Sequence, residues 1–407
     1  MKKLKLTAIS IAAGLVLTAC KPTVTYPQSS KGEQTESTAA KSTTAITTQT
    51  QAPEKVEDKV VKFTAVGDNL IHSNIYNQAS QRAENEGEYD FSYIYKSVEH
   101  IIKAADIAFI NQETIVNDLY KPSGYPRFST PTDMGECLES LGFDAVSIIN
   151  NHTLDVNEDG LLNSLDYWES KKDMTVFGAY RNQADMDNIR TIEKNGITFA
   201  FVGATEHTNG LKLKSDSEIK LLYIGEDDEE IKAQLQKARK VADVVVMAPH
   251  FGIEVSDQIS DLQKEYSKKF ADWGADVILG TQPHTIQPIE IIKSEDGRDV
   301  LLFNCLGNFI SSMTTNARLS IIGMIGQFTV IKNGETGEIT FSDIAGIPII
   351  SYYGNNFNDA KIVLYKDFTE EMLETHGARK YDNITKEFLD NQINDILKDY
   401  IKLDIDT

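Results

Sequence analysis

Six short polar clusters stand where apolar runs of strand type end: VGDNLIH (66–72), INQET (110–114), INNHTLD (149–155), APHFGIE (248–254), GTQPH (280–284) and LGNF (306–309). They are rich in Asp, Glu, Asn and His, the side chains that ligate cations through oxygen and imidazole nitrogen. In an open α/β sheet, ligands bind beyond the carboxyl ends of the strands. The spacing predicts that distant parts of the chain meet around one metal-centred pocket.

Asp68 and His72 follow the first strand as a candidate metal pair, although a Gly-Asp there also serves as a helix cap. Glu113, two residues after Asn111, repeats the strand-end position. Asn150-Asn151-His152 directly follows the run ending at Ile149. Asn151 can ligate through its carbonyl oxygen, His152 can deliver a proton, and Asp155 can orient that imidazole. His250 ends the run Val244–Pro249, with Glu254 close behind, and His284 follows Gln282 and Pro283. Asn308 is a supporting candidate in the last cluster. Four of the seven histidines, His72, His152, His250 and His284, fall in these clusters, which core packing alone does not explain. His100, His207 and His376 lie elsewhere and are assigned no role. A mixed nitrogen and oxygen donor set suits manganese, iron or zinc, as one or two ions, better than calcium or copper.

These residues need a scaffold, and 407 residues with 41% apolar content can bury a large core. The net charge of −21 argues against nucleic-acid binding, and any anionic ligand requires local positive charge. Lys2, Lys3 and Lys5 precede an apolar stretch, Leu6 to Leu17, that is short for a membrane span. It runs into Leu17-Thr18-Ala19-Cys20, which resembles a bacterial lipobox and implies cleavage and lipid attachment at Cys20. The expected product is an extracytoplasmic protein held to the cell membrane by lipid. Residues 1–20 are thus expected to be a lipoprotein signal peptide, and the Ser/Thr-rich stretch 21–58 a disordered tether. Residues 59–355 are expected to form the main domain, with 356–407 a helical extension packed on it. The remaining cysteines, Cys137 and Cys305, read as buried thiols.

Strands are predicted at 60–66, 106–111, 145–150, 197–203, 243–249 and 276–280. Helices at 91–104, 132–141, 158–171, 228–241 and 257–273 alternate with them, which indicates βαβ units. From Ile289 the pattern becomes a run of strands, 289–293, 300–304, 321–331 and 339–344, predicting a second, more antiparallel sheet built from the late chain. Phe388, Ile393, Ile396, Leu397, Tyr400 and Ile401 share one face of a predicted C-terminal docking helix.

Over about residues 60–312 the clusters resemble the CapA family of bacterial capsule, or poly-γ-glutamate, synthesis proteins. The resemblance is carried by Gly67-Asp68 with His72, Asn111-x-Glu113, Asn150-Asn151-His152-x-x-Asp155, His250-x-Gly252-x-Glu254 and Leu306-Gly307-Asn308-Phe309. The family carries His-Pro-His where this chain has Gln282-Pro283-His284, and Trp is usual where Phe251 stands. The family is similar to calcineurin-like metallophosphoesterases. That likeness implies an α/β fold, a two-sheet α/β sandwich of the calcineurin-like metallophosphatase type. It further implies Asp68, Glu113, Asn151, His250, His284 and His72 as metal ligands and His152 as the acid. The implied partners are a polymer-synthase membrane complex and an anionic polymer or phosphorylated substrate. A metal-dependent hydrolase and a solute-binding lipoprotein are the competing expectations. Ser217-x-x-Lys220, a hydrolase-type spacing, lies in an acidic loop-like stretch and reads as chance.

Overall fold

The computed structural model describes residues 56–403. The proposed signal peptide, Cys20 and the tether up to residue 55 lie outside the described residues. In chain order the strands are β1 (Lys59–Asn69), β2 (Ile107–Asn111), β3 (Ala145–Ser147), β4 (Thr175–Phe177), β5 (Ala179–Tyr180), β6 (Arg190–Lys194), β7 (Ile197–Thr205), β8 (Lys220–Leu221), β9 (Val244–His250), β10 (Val277–Leu279), β11 (Ile289–Lys293), β12 (Asp299–Phe303), β13 (Asn308–Ile310), β14 (Ile322–Lys332), β15 (Ile339–Tyr352) and β16 (Lys361–Leu364). The helices are α1 (Ser73–Arg82), α2 (Ser92–Tyr95), α3 (Glu99–Lys103), α4 (Asp133–Leu141), α5 (Asn157–Ser170), α6 (Gln183–Asp187), α7 (Asp228–Val241), α8 (Asp261–Trp273), α9 (Ala317–Ser320), α10 (Glu370–Thr375) and α11 (Lys386–Leu397).

Two large sheets carry the fold. The first has the order β16-β15-β14-β1-β2-β3-β4, with β13 also paired to β1; the second has the order β11-β12-β10-β9-β7-β6. The first sheet is parallel on one side and antiparallel on the other, and the second is parallel at its centre with antiparallel edges. In the first, β1 to β4 run parallel while β14 pairs antiparallel with β1. In the second, β7, β9, β10 and β12 run parallel, flanked by antiparallel β6 and β11. β2 and β9 are buried along their whole length, as expected of central parallel strands covered on both faces.

The sheets pack face to face through aromatic side chains. Phe63 of β1 meets Phe199 of β7 at 5.9 Å between ring centroids, Phe177 meets Phe201 at 5.4 Å, and Phe303 meets Phe328 at 6.0 Å. Ile231, Leu235, Ala238 and Phe270 of α7 and α8 cover the outer face of the second sheet. Ser260 and Gln263 form a reciprocal capping box that starts α8 at Asp261, four residues later than the sequence pattern predicts. Gly142 ends α4 in the left-handed conformation (φ 88°), while the Thr132 side chain makes no capping hydrogen bond.

The two-sheet α/β architecture is the expected one, but its partition is not. Strands β11 and β12 extend the second sheet while β14 and β15 extend the first, so the late strands do not form a sheet of their own. Pairing between sequence-distant strands decides this, and periodicity along the chain does not report it. The predicted helix 91–104 is broken into α2 and α3. The segment 356–403 first contributes β16 to the first sheet. Leu389, Ile393 and Leu397 of α11 then enter the main core. Cys137 and Cys305 are free and buried.

Candidate functional site

The carboxyl ends of β1, β2 and β3 in one sheet, and of β9 and β10 in the other, meet at one place. Register explains how Asp68 is held. It stands opposite Asn111 of β2 on one side and Asn308 of β13 on the other. That threefold junction leaves no room beside Gly67, where any Cβ would collide with the carbonyl of Gly307. Asn111 Nδ2 donates to Asp68 Oδ1 at 2.7 Å. His284 Nδ1 lies 3.0 Å from Asp68 Oδ2 and 3.1 Å from Asn308 Oδ1. Asn308 also donates from Nδ2 to the carbonyls of His284 and Ser320, so it clamps the turn that carries the imidazole.

That turn is conformationally strained. Gln282 has φ 98° and His284 φ 55°, a region that side chains other than Gly rarely adopt. Backbone of this kind persists only where its surroundings over-determine it, and it gathers at functional sites.

The centre of the cluster is Glu113. It is wholly buried, and neither carboxylate oxygen has a hydrogen-bond partner. Three imidazole nitrogens face its Oε1: His284 Nε2 at 3.6 Å, His250 Nε2 at 3.8 Å and His152 Nε2 at 3.9 Å. Asn151 Oδ1 lies 3.1 Å from His250 Nε2, whose ring is held through Nδ1 by Thr281 Oγ1 at 2.9 Å. One ligand atom each from Asp68, Glu113 and His284 lie within 4.8 Å of one another.

These separations are too long for hydrogen bonds. They do match two donors on a shared ion, which stand about 3–4 Å apart when each lies about 2 Å from it. A buried carboxylate with no partner costs several kcal/mol, roughly, in protein alone. Asn111 Oδ1 and Gln282 Oε1 are further buried oxygens without partners at the same place. The cluster is therefore deficient in positive charge, and a divalent cation fits it.

Electrostatics agree. Burial drives the Glu113 carboxyl well above its ordinary range; His284 opposes this, while Asp68, Glu254 and Asp155 add to it. Burial also opposes charge on Asp68, but the hydrogen bond and charge of His284, with His250 and Asn111, outweigh it and hold that carboxyl low. For His284 burial is outweighed by Glu113, Asp68 and Glu254, which raise it to about 10; His250 is pushed down to about 3 by burial. The protein alone keeps His284 charged against Asp68 and disfavours charge on Glu113.

His152 sits at the edge of the cluster. Its Nδ1 lies 2.7 Å from Asp155 Oδ2, which leaves Nε2 aimed toward Glu113. The same Asp155 oxygen accepts from the Phe128 amide at 2.7 Å, and the Phe128 ring packs edge-on against His152 at 4.7 Å. Asn150 accepts from the His152 amide at 2.9 Å, so its part is to shape the turn. A cleft of about 450 Å³, whose lining includes Asn151, His152, Asp155 and Glu254, opens beside this pair. Glu254 is solvent-exposed and accepts from Gln282 Nε2 at 3.3 Å.

His72 lies at the margin of the cluster. Its Nδ1 lies 3.2 Å from the Leu70 carbonyl and accepts from the Ser312 amide at 3.3 Å, and its ring meets Phe128 edge-on at 5.3 Å. Among the described residues no hydrogen bond or ion pair joins it to Asp68, Glu113 or His284. It occupies the position before α1, with Nδ1 held among these backbone groups. The sequence reading missed Thr281 and Phe128, which orient His250 and His152. Thr281 lies inside the GTQPH cluster and could have been found there; Phe128 sits in a loop without periodicity.

Known proteins resemble this chain in sequence, and solved structures superpose on part of it. It is 27% identical over 295 residues to the PGA biosynthesis protein CapA of Bacillus subtilis, spanning 70% of this chain and 72% of that protein. It is 25% identical over 263 residues to the capsule biosynthesis protein CapA of Bacillus anthracis, spanning 62% of this chain and 60% of that one. Among solved structures, a phosphatase of Mycoplasma pneumoniae superposes with a TM-score of 0.42 at 14% identity, over 72% of this chain and 95% of that one. A 5'-nucleotidase precursor of Thermus thermophilus gives a TM-score of 0.44 at 14% identity, over 83% and 59%. The model of the bacterial capsule synthesis protein PGA_cap matches residues 62–313, the whole span that carries Asp68 through Asn308, and the chain belongs to that family.

Proposed function

We propose that this chain is a lipid-anchored, extracytoplasmic component of surface-polymer synthesis or export, for a polymer of the poly-γ-glutamate type. In this reading it acts through a divalent transition-metal centre. The family and the curated relatives support the polymer. The basic, then apolar N-terminus ending in Leu17-Thr18-Ala19-Cys20 supports the anchor. The partnerless carboxylate of Glu113, faced by three imidazole nitrogens, carries the metal.

Asp68, Glu113, Asn151, His250 and His284 would hold the ion. When bound it supplies a Lewis acid and a lowered pKa for water. The rest is the protein's own work. Asn308 and Asp68 fix the His284 ring, Thr281 fixes His250, and Asp155 sets His152 with Nε2 toward Glu113 at the edge of the cluster, where it can hold or pass a proton. The His152–Asp155 pair beside a cleft also favours a second reading, a metal-dependent hydrolase of phosphorylated or polymeric envelope substrates.

The decisive test is genetic. Deleting the gene should abolish surface polymer, and the wild-type chain should restore it while Cys20→Ala and Glu113→Ala should not. Unchanged polymer after deletion would refute the proposal. For the second reading, metal-loaded protein should hydrolyse bis-p-nitrophenyl phosphate and lose that turnover on His152→Asn.

A further inference from the structure

The cleft beside His152 presents a charge problem. Two of its lining residues are the carboxylates Asp155 and Glu254, on a chain of net charge −21, so an anionic polymer or phosphate would be repelled from it. Arg127 also lines that cleft, close to Tyr125, which is 78% exposed. Among the described residues the Arg127 guanidinium has no hydrogen bond or ion pair. Every other arginine there is engaged by a carboxylate, an amide or a carbonyl.

The backbone beneath Arg127 is held in place. Ser123 and Ser129 exchange amide-to-carbonyl hydrogen bonds of 3.0 Å, and Ser123 Oγ donates to the Arg127 carbonyl at 2.7 Å. The next amide, that of Phe128, is tied to Asp155 Oδ2. Arg127 is thus an unpaired cation on a braced hairpin, one residue from the group that orients His152.

We infer that Arg127 forms an oxyanion-binding subsite at the mouth of the cleft and fixes a carboxylate or phosphate of the substrate beside His152. The planar guanidinium offers two parallel N–H donors, a geometry suited to either anion. The inference rests on the reading of this cleft as the substrate side of the metal centre.

Calorimetry on the metal-loaded full chain at fixed low salt tests it, with three probes: an oligo-γ-glutamate, its fully amidated neutral analogue, and bis-p-nitrophenyl phosphate. Arg127→Gln should weaken anion binding about tenfold or more. It should leave metal content and the neutral analogue unchanged, and Arg127→Lys should recover only part of the loss. A loss for oligo-γ-glutamate alone identifies the anion as a carboxylate, and a loss for the phosphodiester alone identifies a phosphate; either supports the subsite. Binding of both anions within twofold of the parent in Arg127→Gln would overturn the subsite and leave the polymer reading standing. If the parent binds neither anion, both fall together.

Discussion

Two buried histidine environments lie in this molecule, and they differ in what they leave unsatisfied. His376 is wholly buried, with Nε2 3.1 Å from the Ser351 carbonyl and Nδ1 accepting from the Ala378 amide at 3.1 Å, inside a ring of Tyr352, Tyr353 and Phe368. Both of its ring nitrogens are satisfied. At the strand ends, His152, His250 and His284 each use Nδ1 on a neighbour and turn Nε2 toward Glu113, whose oxygens have no partner. Burial of a titratable group is common to both sites. Surplus ligand capacity distinguishes the second.

The contrast can be broken by experiment. On the hydrolase reading, the largest expected effect is on bond turnover: His152→Asn should lower hydrolysis of bis-p-nitrophenyl phosphate by about 10²–10⁴-fold at unchanged metal content. His376→Gln should leave the rate per folded molecule unchanged. Equal losses in steady-state kinetics would erase the distinction.

Next comes the metal. Glu113→Gln should weaken divalent-metal binding by about 100-fold or more, beyond the 10–100-fold typical of supporting residues. Manganese at 100 times its Kd should stabilise the parent by about 2.7 kcal/mol against urea, a gain absent in Glu113→Gln and retained in His376→Gln. Metal-induced stabilisation that survives Glu113→Gln would place the ion elsewhere.

His376 makes an opposite, acid-side prediction. Burial pushes its imidazole down from 6.5 to about 4. Its neutral form therefore contributes full stability above pH 6.5, and that contribution is lost as pH falls toward 4, because the unfolded chain takes up the proton first. Between pH 7 and pH 5 the loss is about 2 kcal/mol. Urea titrations at the two pH values should show this increment in the parent and not in His376→Gln. The smallest effect is expected at Asn308→Ala. Freeing the His284 turn should cost about tenfold in metal affinity while the fold is kept.

Much of the centre was legible because ligand types recur at one register position, the end of each buried parallel strand. Asp68, Glu113, Asn151, His250 and His284 converge as the clusters predict. The sheet partition was not legible, since β14 joins β1 across more than 250 residues and no local pattern encodes that pairing. The setting of His72 was hidden for a related reason. The Ser312 amide that meets its Nδ1 comes from the far end of the domain. Arg127 and Phe128 lie in a loop whose hydrogen bonds, not its composition, give it a part in the site.

One oxygen atom, Asp155 Oδ2, serves both the imidazole of His152 and the amide of Phe128. Any displacement of the 123–129 hairpin would break the amide tie, and the His152 ring would then lose part of what holds its aspartate still. The placement of the 123–129 loop and the orientation of the His152 imidazole are therefore coupled through a single carboxylate oxygen.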